Sequence, residues 1–459
     1  MARQEPAADV GTSRRRVVLF PLPYQGHLSP MFQLAALLRD RGLAVTVLHT
    51  DLNAPDPARH PPDIAFVPIH ESLAEEEEGT ELDLVSRFLV IDAACEAPFR
   101  TALASLREKA EDDVACVVLD AHWLSALAAM PQLGVPVLAL RTVSAATSRN
   151  ILAFPGLFVH ADERRDETVP GLEPLRVRDL IRQDWLDDSK KCSFMAQLAD
   201  AMRSPMCGVI LNTFDVIEAQ ELEKLQDELS VRAFAVGPLH KLSPPPPSAA
   251  EEDTFLHAPH RGCLVWLDAQ PPQSVLYVSL GSMASVGRAV FDEMAWGLAA
   301  SGVPFLWVVR PGSINGAAGE LDAAAMPPLP DGVDMSRGMV VPWAPQREVL
   351  AHPATGGFWT HCGWNSTLES ICEGVPMLAQ PCFGDQLVNS RYVTHQWGVG
   401  MELGEVFDRV RVAEAVRELM VGEEGSRVRD SAGRLKIRVN QFLAATTAID
   451  DLVKYIRSL

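Results

Sequence analysis

The chain has 459 residues, too many for one hydrophobic core, so two domains are the first expectation. A formal net charge of −20 excludes the broad basic surface that nucleic acid or an anionic membrane would require, so an anionic ligand must be captured by local geometry. Eight cysteines with no Cys-x-x-Cys pair, three of them ten apart at Cys362, Cys372 and Cys382, fit neither a zinc site nor a redox motif. They read as reduced thiols of a cytosolic protein.

The polar start "MARQEPAADVGTSRRR" is followed by "VVLFPLPY", which is short and carries two prolines. That pattern predicts a first β-strand, not a signal peptide. After the turn "YQGH", Ser29 is the predicted N-cap and Pro30 the first helical residue, with the apolar face over Met31 to Leu38 and a stop at Gly42. "LAVTVLHT" is the next strand. The acidic run Glu75 to Glu78 reads as a solvated loop. "VACVVL" leads as a strand to Asp120, and "VPVLALRT" is another from Val135. The uncharged run from Leu124 to Leu140 is interrupted by Pro131, Gly134 and Pro136, which predicts a buried helix and then a strand, not a membrane span. Strand–helix alternation of this kind predicts an α/β fold, a doubly wound parallel sheet with helices on both faces.

Composition breaks at "KLSPPPPSAAEEDTF", residues 241–255. Four consecutive prolines cannot join a helix or a central strand, so a stiff linker is expected. The pattern then restarts with "SVLYVSLGS", "VPFLWVVR", "GMVVPW", "TGGFWTH" and "VPMLAQP". Two Rossmann-like domains follow from this, spanning 1–240 and 262–440 across a linker at 241–261, with 441–459 left over. The final Arg457-Ser458-Leu459 is not a peroxisomal address, and cytosol is the expected location.

Open parallel sheets bind ligands beyond the carboxyl ends of their strands. His27 follows the first strand, where the positive end of the next helix disfavours an imidazolium and leaves a neutral general base. A turn histidine bonded to backbone is the competing reading. Asp120 ends another strand, where it either orients His27 or caps the following helix. In "FWTHCGWNSTLES", residues 358–370, the strand runs into a helix whose first turn holds Asn365 and Ser366, an anion site for a phosphate or diphosphate. His361 and Trp364 flank that turn. Ser366 and Glu369 also have capping-box spacing, which competes with a ligand role for Glu369. The sequon Asn365-Ser366-Thr367 would go unused in the cytosol. No Gly-x-Gly-x-x-Gly follows a strand, "GVGMEL" failing at its sixth position, and no two aspartates lie two apart. A metal-free site for a phosphorylated ligand is the reading that remains.

From Trp343 to Gln386 the chain reads "WAPQREVLAHPATGGFWTHCGWNSTLESICEGVPMLAQPCFGDQ". Over all forty-four residues this resembles the signature box of plant UDP-dependent glycosyltransferases, and the likeness extends from Val17 to Leu459. Segments such as "CEAPFR", "LGVPVLALRTVSAA", "RGCLVWLDAQ" and "SVLYVSLGSMA" look most like the grass glucosyltransferases of benzoxazinone hydroxamic acids, and more loosely like relatives acting on diterpenoids and cytokinins. The resemblance implies two facing Rossmann domains (the GT-B fold), with the last helix returning to the first domain. It implies that Trp343 stacks on uracil, whose edge meets Ala344 and Gln346, and that Glu369 takes the ribose. It places Ser282, His361, Asn365 and Ser366 on the diphosphate, and Thr142, Trp364, Asp385 and Gln386 on the sugar. His27 matches the family's base and Asp120 its partner, while Tyr24 and Trp123 are expected in the acceptor pocket. Cys382, Gly384 and Leu280 depart from the commoner pattern without removing a functional group. The implied activity is an inverting, metal-independent O-glucosyltransferase using UDP-glucose. Its acceptor is a benzoxazinone-, phenolic-, cytokinin- or terpenoid-type hydroxyl, and a monomer without nucleic-acid or membrane partners is expected. A non-catalytic nucleotide-sugar binder and a sugar-nucleotide epimerase of the same fold are the alternatives.

Overall fold

The computed structural model describes residues 15–71, 83–109, 113–154, 165–181, 188–204, 206–244, 256–315, 326–404 and 407–459. The acidic run at 75–78 and most of the proline-rich linker, 245–255, lie outside them.

The first sheet contains β1 (Arg16–Phe20), β2 (Ala44–His49), β3 (Ile64–Pro68), β4 (Val114–Asp120), β5 (Val137–Arg141), β6 (Gly208–Leu211) and β7 (Ala233–Ala235). Their order is β3-β2-β1-β4-β5-β6-β7, all parallel. The second contains β8 (Val275–Ser279), β10 (Phe305–Val308), β12 (Gly338–Val341), β13 (Thr355–Thr360), β14 (Met377–Ala379) and β15 (Gly400–Glu402). It runs β12-β10-β8-β13-β14-β15, again parallel. A small pair, β9 (Val286–Gly287) and β11 (Ile314–Asn315), stands apart. The central strands are buried on both faces, which is why they read as unbroken apolar runs and not as alternating ones.

Strand order reverses between β1 and β4 in one sheet and between β8 and β13 in the other. Each reversal opens a crevice at the carboxyl edge, because the following helices depart to opposite faces. His27 and Asp120 lie beyond β1 and at the end of β4; Ser282 and His361 lie beyond β8 and β13. The two crevices line one cleft.

The first helix departs from its predicted start. It spans Gln25–Asp40 with Tyr24 as N-cap, so Ser29 and Pro30 lie inside it. Pro30 has no N–H for the carbonyl of Gly26, four residues back. That carbonyl accepts instead from Asn365 Nδ2 of the second domain, at 3.0 Å. Pro131 likewise sits within helix Leu124–Leu133, which ends at a left-handed Gly134. No helix among the described residues is long and apolar enough to cross a membrane.

Helix Ala448–Ser458 packs on the first sheet's core. Ile449, Leu452, Val453 and Ile456 recur at helical spacing and are buried among Val17, Leu19, Leu34 and Leu38. Arg457 donates to the Arg41 carbonyl at 2.6 Å. Leu452→Ala should cost about 2–5 kcal/mol, the usual range for an unrelaxed cavity. Urea unfolding of the two proteins measures it, and an unchanged midpoint would contradict this docking.

Candidate active site

The first helix starts so soon after β1 that His27 falls in its opening turn, directly over the end of β4. His27 Nδ1 lies 2.7 Å from Asp120 Oδ2, across 93 residues of sequence. A carboxylate only accepts, so Nδ1 carries the proton and Nε2 keeps its lone pair on the opposite ring edge. Thr142 Oγ1 stands 3.2 Å from the same Nδ1. Asp120 has no exposed surface. Burial alone would raise its carboxyl, but the charge of His27 and hydrogen bonds from two imidazoles hold it well below the usual carboxylate range. The helix-capping reading of Asp120 fails, since helix Leu124–Leu133 starts at Trp123 with no side-chain cap.

The second imidazole belongs to His122, which the sequence reading overlooked. Its backbone N–H and Nδ1 each lie 3.0 Å from Asp120 Oδ1. One carboxylate therefore serves two histidines, whose rings meet edge to face at 4.9 Å. The available signal was the Asp-x-His spacing at the end of a strand, where a two-residue turn folds the ring back onto the carboxylate. Among the described residues these three side chains are also the one group of His, Cys, Asp or Glu with ligand atoms within 4.8 Å of one another. Their short N···O contacts are those of hydrogen bonds.

Across the cleft, helix Trp364–Glu373 opens at Gly363 with no side-chain cap. Its first-turn N–H groups are thus left for a ligand. The capping box does not form. Gln346 Nε2 donates instead to Ser366 Oγ at 2.9 Å and to Glu369 Oε2 at 2.7 Å, while Tyr277 donates to Gln346 Oε1. Gln346 is therefore a brace under the site as well as part of its lining. His361 is half-buried in the rim, and burial pushes its imidazolium down to about 4, so it stays neutral and offers no positive charge. Its ring fills the space that a Cβ would occupy at Gly281 or Gly363. Trp343, half-buried, packs 4.7 Å from the ring of His257, and Ala344 and Ser282 line the cleft beside it.

Several of the expected donor contacts are engaged within the protein, Trp364 and Asn365 between the two domains and Gln386 within its own. Trp364 Nε1 donates to the Asn212 carbonyl at 2.8 Å, and Asn365 Nδ2 to Gly26, so those donors are committed. Gln386 Oε1 accepts from the backbone N–H groups of Cys382 and Phe383, at 2.8 and 3.0 Å, fixing the loop that presents Asp385. The amide hydrogens of Gln386 remain. Burial pushes the Asp385 carboxyl up to about 6, although Asn389 donates to it at 2.9 Å.

The acceptor assignments need correction. Trp123 has no exposed surface and stacks on Phe20 at 4.4 Å; Tyr24 is buried against Phe88. Both belong to the core beneath the cleft, because their positions at the strand–helix turn direct large rings back under the sheet edge. The apolar lobe beside His27 is lined instead by Leu84, Phe88, Ile151, Phe194, Met195 and Leu198, within a cavity of about 290 Å³. Scattered over three helices, these had no common motif to reveal them.

This geometry has counterparts. The profile of a family described as UDP-glucoronosyl and UDP-glucosyl transferase matches residues 194–425. The chain is 43% identical to the DIMBOA UDP-glucosyltransferase BX8 of Zea mays over 463 aligned positions, covering 96% of this chain and 98% of that one. The chain belongs to this family. The DIMBOA UDP-glucosyltransferase BX9 of Zea mays is also 43% identical, over 96% of this chain and 97% of the relative. Among solved structures, UGT2 of Phytolacca americana, complexed with UDP-2fluoro-glucose and pterostilbene, superposes with a TM-score of 0.80 at 27% identity. The match spans 97% of this chain and 99% of that one. The present chain is accordingly a UDP-glycosyltransferase of the two-domain GT-B fold.

The packing of His361 makes this transferase sensitive at a glycine that lines the cleft beside it. Gly281 has φ +77°, and an added Cβ would lie 2.5 Å from His361 Nε2. Gly281→Ala should therefore weaken UDP binding by roughly tenfold or more, about 1.4 kcal/mol, through the strained backbone and the displaced ring. Calorimetric titration of UDP into both proteins measures this; equal affinities would show that the ring contact is not part of the UDP site.

Proposed function

We propose that this transferase moves glucose from UDP-glucose to a hydroxyl of a small lipophilic plant metabolite, with inversion at the anomeric carbon and without a metal ion. The 2.7 Å contact of His27 with Asp120 carries the reading, because it faces a helix N-terminus suited to a leaving diphosphate. His27 Nε2 takes the acceptor's proton while the acceptor oxygen attacks the anomeric carbon. The bond from that carbon to UDP breaks on the opposite side, and the buried Asp120 stabilises the imidazolium.

The state of Asp120 supports inversion. A retaining double displacement needs an enzyme nucleophile, and this carboxylate is poorly suited to be one, having no exposed surface and hydrogen bonds to both its oxygens. On the leaving side the first-turn N–H groups of helix Trp364–Glu373 supply positive potential in place of a cation. For the sugar, Gln386 has its oxygen occupied and directs only N–H donors at the glucose hydroxyls, with Asp385 beside it as acceptor. The maize relatives named for DIMBOA make that compound the first acceptor to test, beside phenolic, cytokinin and terpenoid hydroxyls.

A nucleotide-sugar binder would have no use for a buried His–Asp pair, and an epimerase would need no apolar acceptor lobe. Release of UDP only in the presence of acceptor separates the transferase from both. His27→Ala should lower kcat by roughly 10²–10⁴-fold, the usual worth of general base catalysis, while UDP affinity changes little. Near-normal turnover in the folded variant would remove His27 from the base role. Activity should also survive dialysis against EDTA; a loss that magnesium restores would show that a cation shares the stabilisation of UDP with the helix N-terminus.

A further inference from the structure

The cleft holds a second imidazole for which the transfer step has no use. Asp120 needs one imidazole to serve as partner of a base, and it has two. The Nδ1 of His122 faces a carboxylate at 3.0 Å, so Nδ1 carries the proton and Nε2 is a bare acceptor. The ring is not sealed into the core: its side chain is 13% exposed, and it lines the cleft together with His27. With Nδ1 turned to the buried carboxylate, Nε2 lies on the cleft edge of the ring. The same cleft is lined by the apolar side chains of Leu84, Phe88, Phe194, Met195 and Leu198, with the Phe88 ring 6.1 Å from that of His122. A polar atom beside apolar walls helps fix the orientation of what binds there. Edge-to-face packing at 4.9 Å puts the His122 ring beside that of His27, whose Nε2 receives the reacting hydroxyl's proton.

We propose that His122 is a specificity-determining residue of the acceptor site: its Nε2 accepts a hydrogen bond from a second donor, a hydroxyl or N–H, adjacent to the hydroxyl that is glycosylated. The preferred acceptors are therefore compact apolar rings bearing two neighbouring donors, one for each histidine held by Asp120. Burial lowers the basicity of His122, so the ring stays neutral and keeps this lone pair in the neutral range. Two donors bound to two nitrogens also set which hydroxyl meets His27, since turning the ring over would exchange them. A ligand lacking the second donor leaves Nε2 facing an apolar surface unpaired, which costs binding.

This inference rests on the hydroxyl-transfer reading, and the test is built to separate the two. Catechol–phenol pairs, each phenol lacking only the neighbouring hydroxyl, are assayed by UDP release with the wild type, His122→Asn and His122→Gln. Asparagine places an amide nitrogen where Nδ1 stands and keeps the bond to Asp120, but puts nothing at Nε2; glutamine does the reverse. The readout is the catechol-to-phenol ratio of kcat/KM, in which any general loss of activity or stability cancels. The expected result is a ratio roughly tenfold lower in His122→Asn, carried by KM, with His122→Gln retaining the larger part of the preference. A ratio in His122→Asn equal to the wild type's would overturn the assignment. So would equal ratios in the two variants, which would trace the effect to Asp120. Wild-type protein that releases UDP with no hydroxyl acceptor at all would instead sink the transfer reading, and this inference with it.

Discussion

A carboxylate with no exposed surface must find its hydrogen bonds inside the protein, and the arrangement around Asp120 follows from that requirement. An isolated buried charge would be protonated. Around Asp120, two imidazoles and a backbone N–H saturate both oxygens, and the carboxylate stays ionised. Its position is set by the reversal of strand order between β1 and β4, which leaves a gap at the sheet edge for two rings. The same constraint fixes the tautomers. Each histidine presents a protonated Nδ1 to the carboxylate and an unprotonated Nε2 to the cleft, so the site is preorganised to accept protons or hydrogen bonds.

The second domain faces this cluster because several cross-links end on backbone carbonyls. Asn365 reaches Gly26, Trp364 reaches Asn212, Trp397 reaches Ile217 at 2.9 Å and Arg391 reaches Pro174 at 3.0 Å. Pro30 leaves the Gly26 carbonyl without its helical partner, and the inter-domain bond uses what the helix lost. Tyr392 and Val388 of the second domain are buried in an apolar cluster of the first. The signature segment thus does two jobs, since the helix whose uncapped N-terminus is proposed to hold the diphosphate also grips the opposite domain through its first two side chains.

Neutrality recurs through the site. His361 and His122 are both buried enough to stay uncharged, and burial raises the Asp385 carboxyl to about 6. With few fixed charges in the cleft, the positive end of helix Trp364–Glu373 acts in a poorly screened environment, where a helix dipole counts for more than at a solvated surface. An overall charge of −20 is compatible with binding a dianionic leaving group for this reason.

The sequence by itself determined the two parallel sheets, because strands buried on both faces must be continuously apolar and the helices between them must carry an apolar stripe. It also marked out the segment proposed to hold the donor, whose residues are contiguous from Trp343 to Gln386 and so preserve their spacing in the fold. It placed His27 and Asp120 at strand ends but could not say that they touch. Contact across 93 residues depends on which strands are neighbours, and that is a property of the closed sheet. Only the tertiary structure decided the remaining questions. Trp123 and Tyr24 went to the core because the strand–helix turn directs them inward, and the Ser366–Glu369 pair was drawn to Gln346 instead of closing a cap. The acceptor lobe is assembled from separate helical segments. His122 became part of the site because a two-residue turn folded its ring onto a carboxylate already claimed by another histidine. Local spacing survives folding and can be read directly, whereas a contact between distant segments exists only once the sheet and the domain interface have formed.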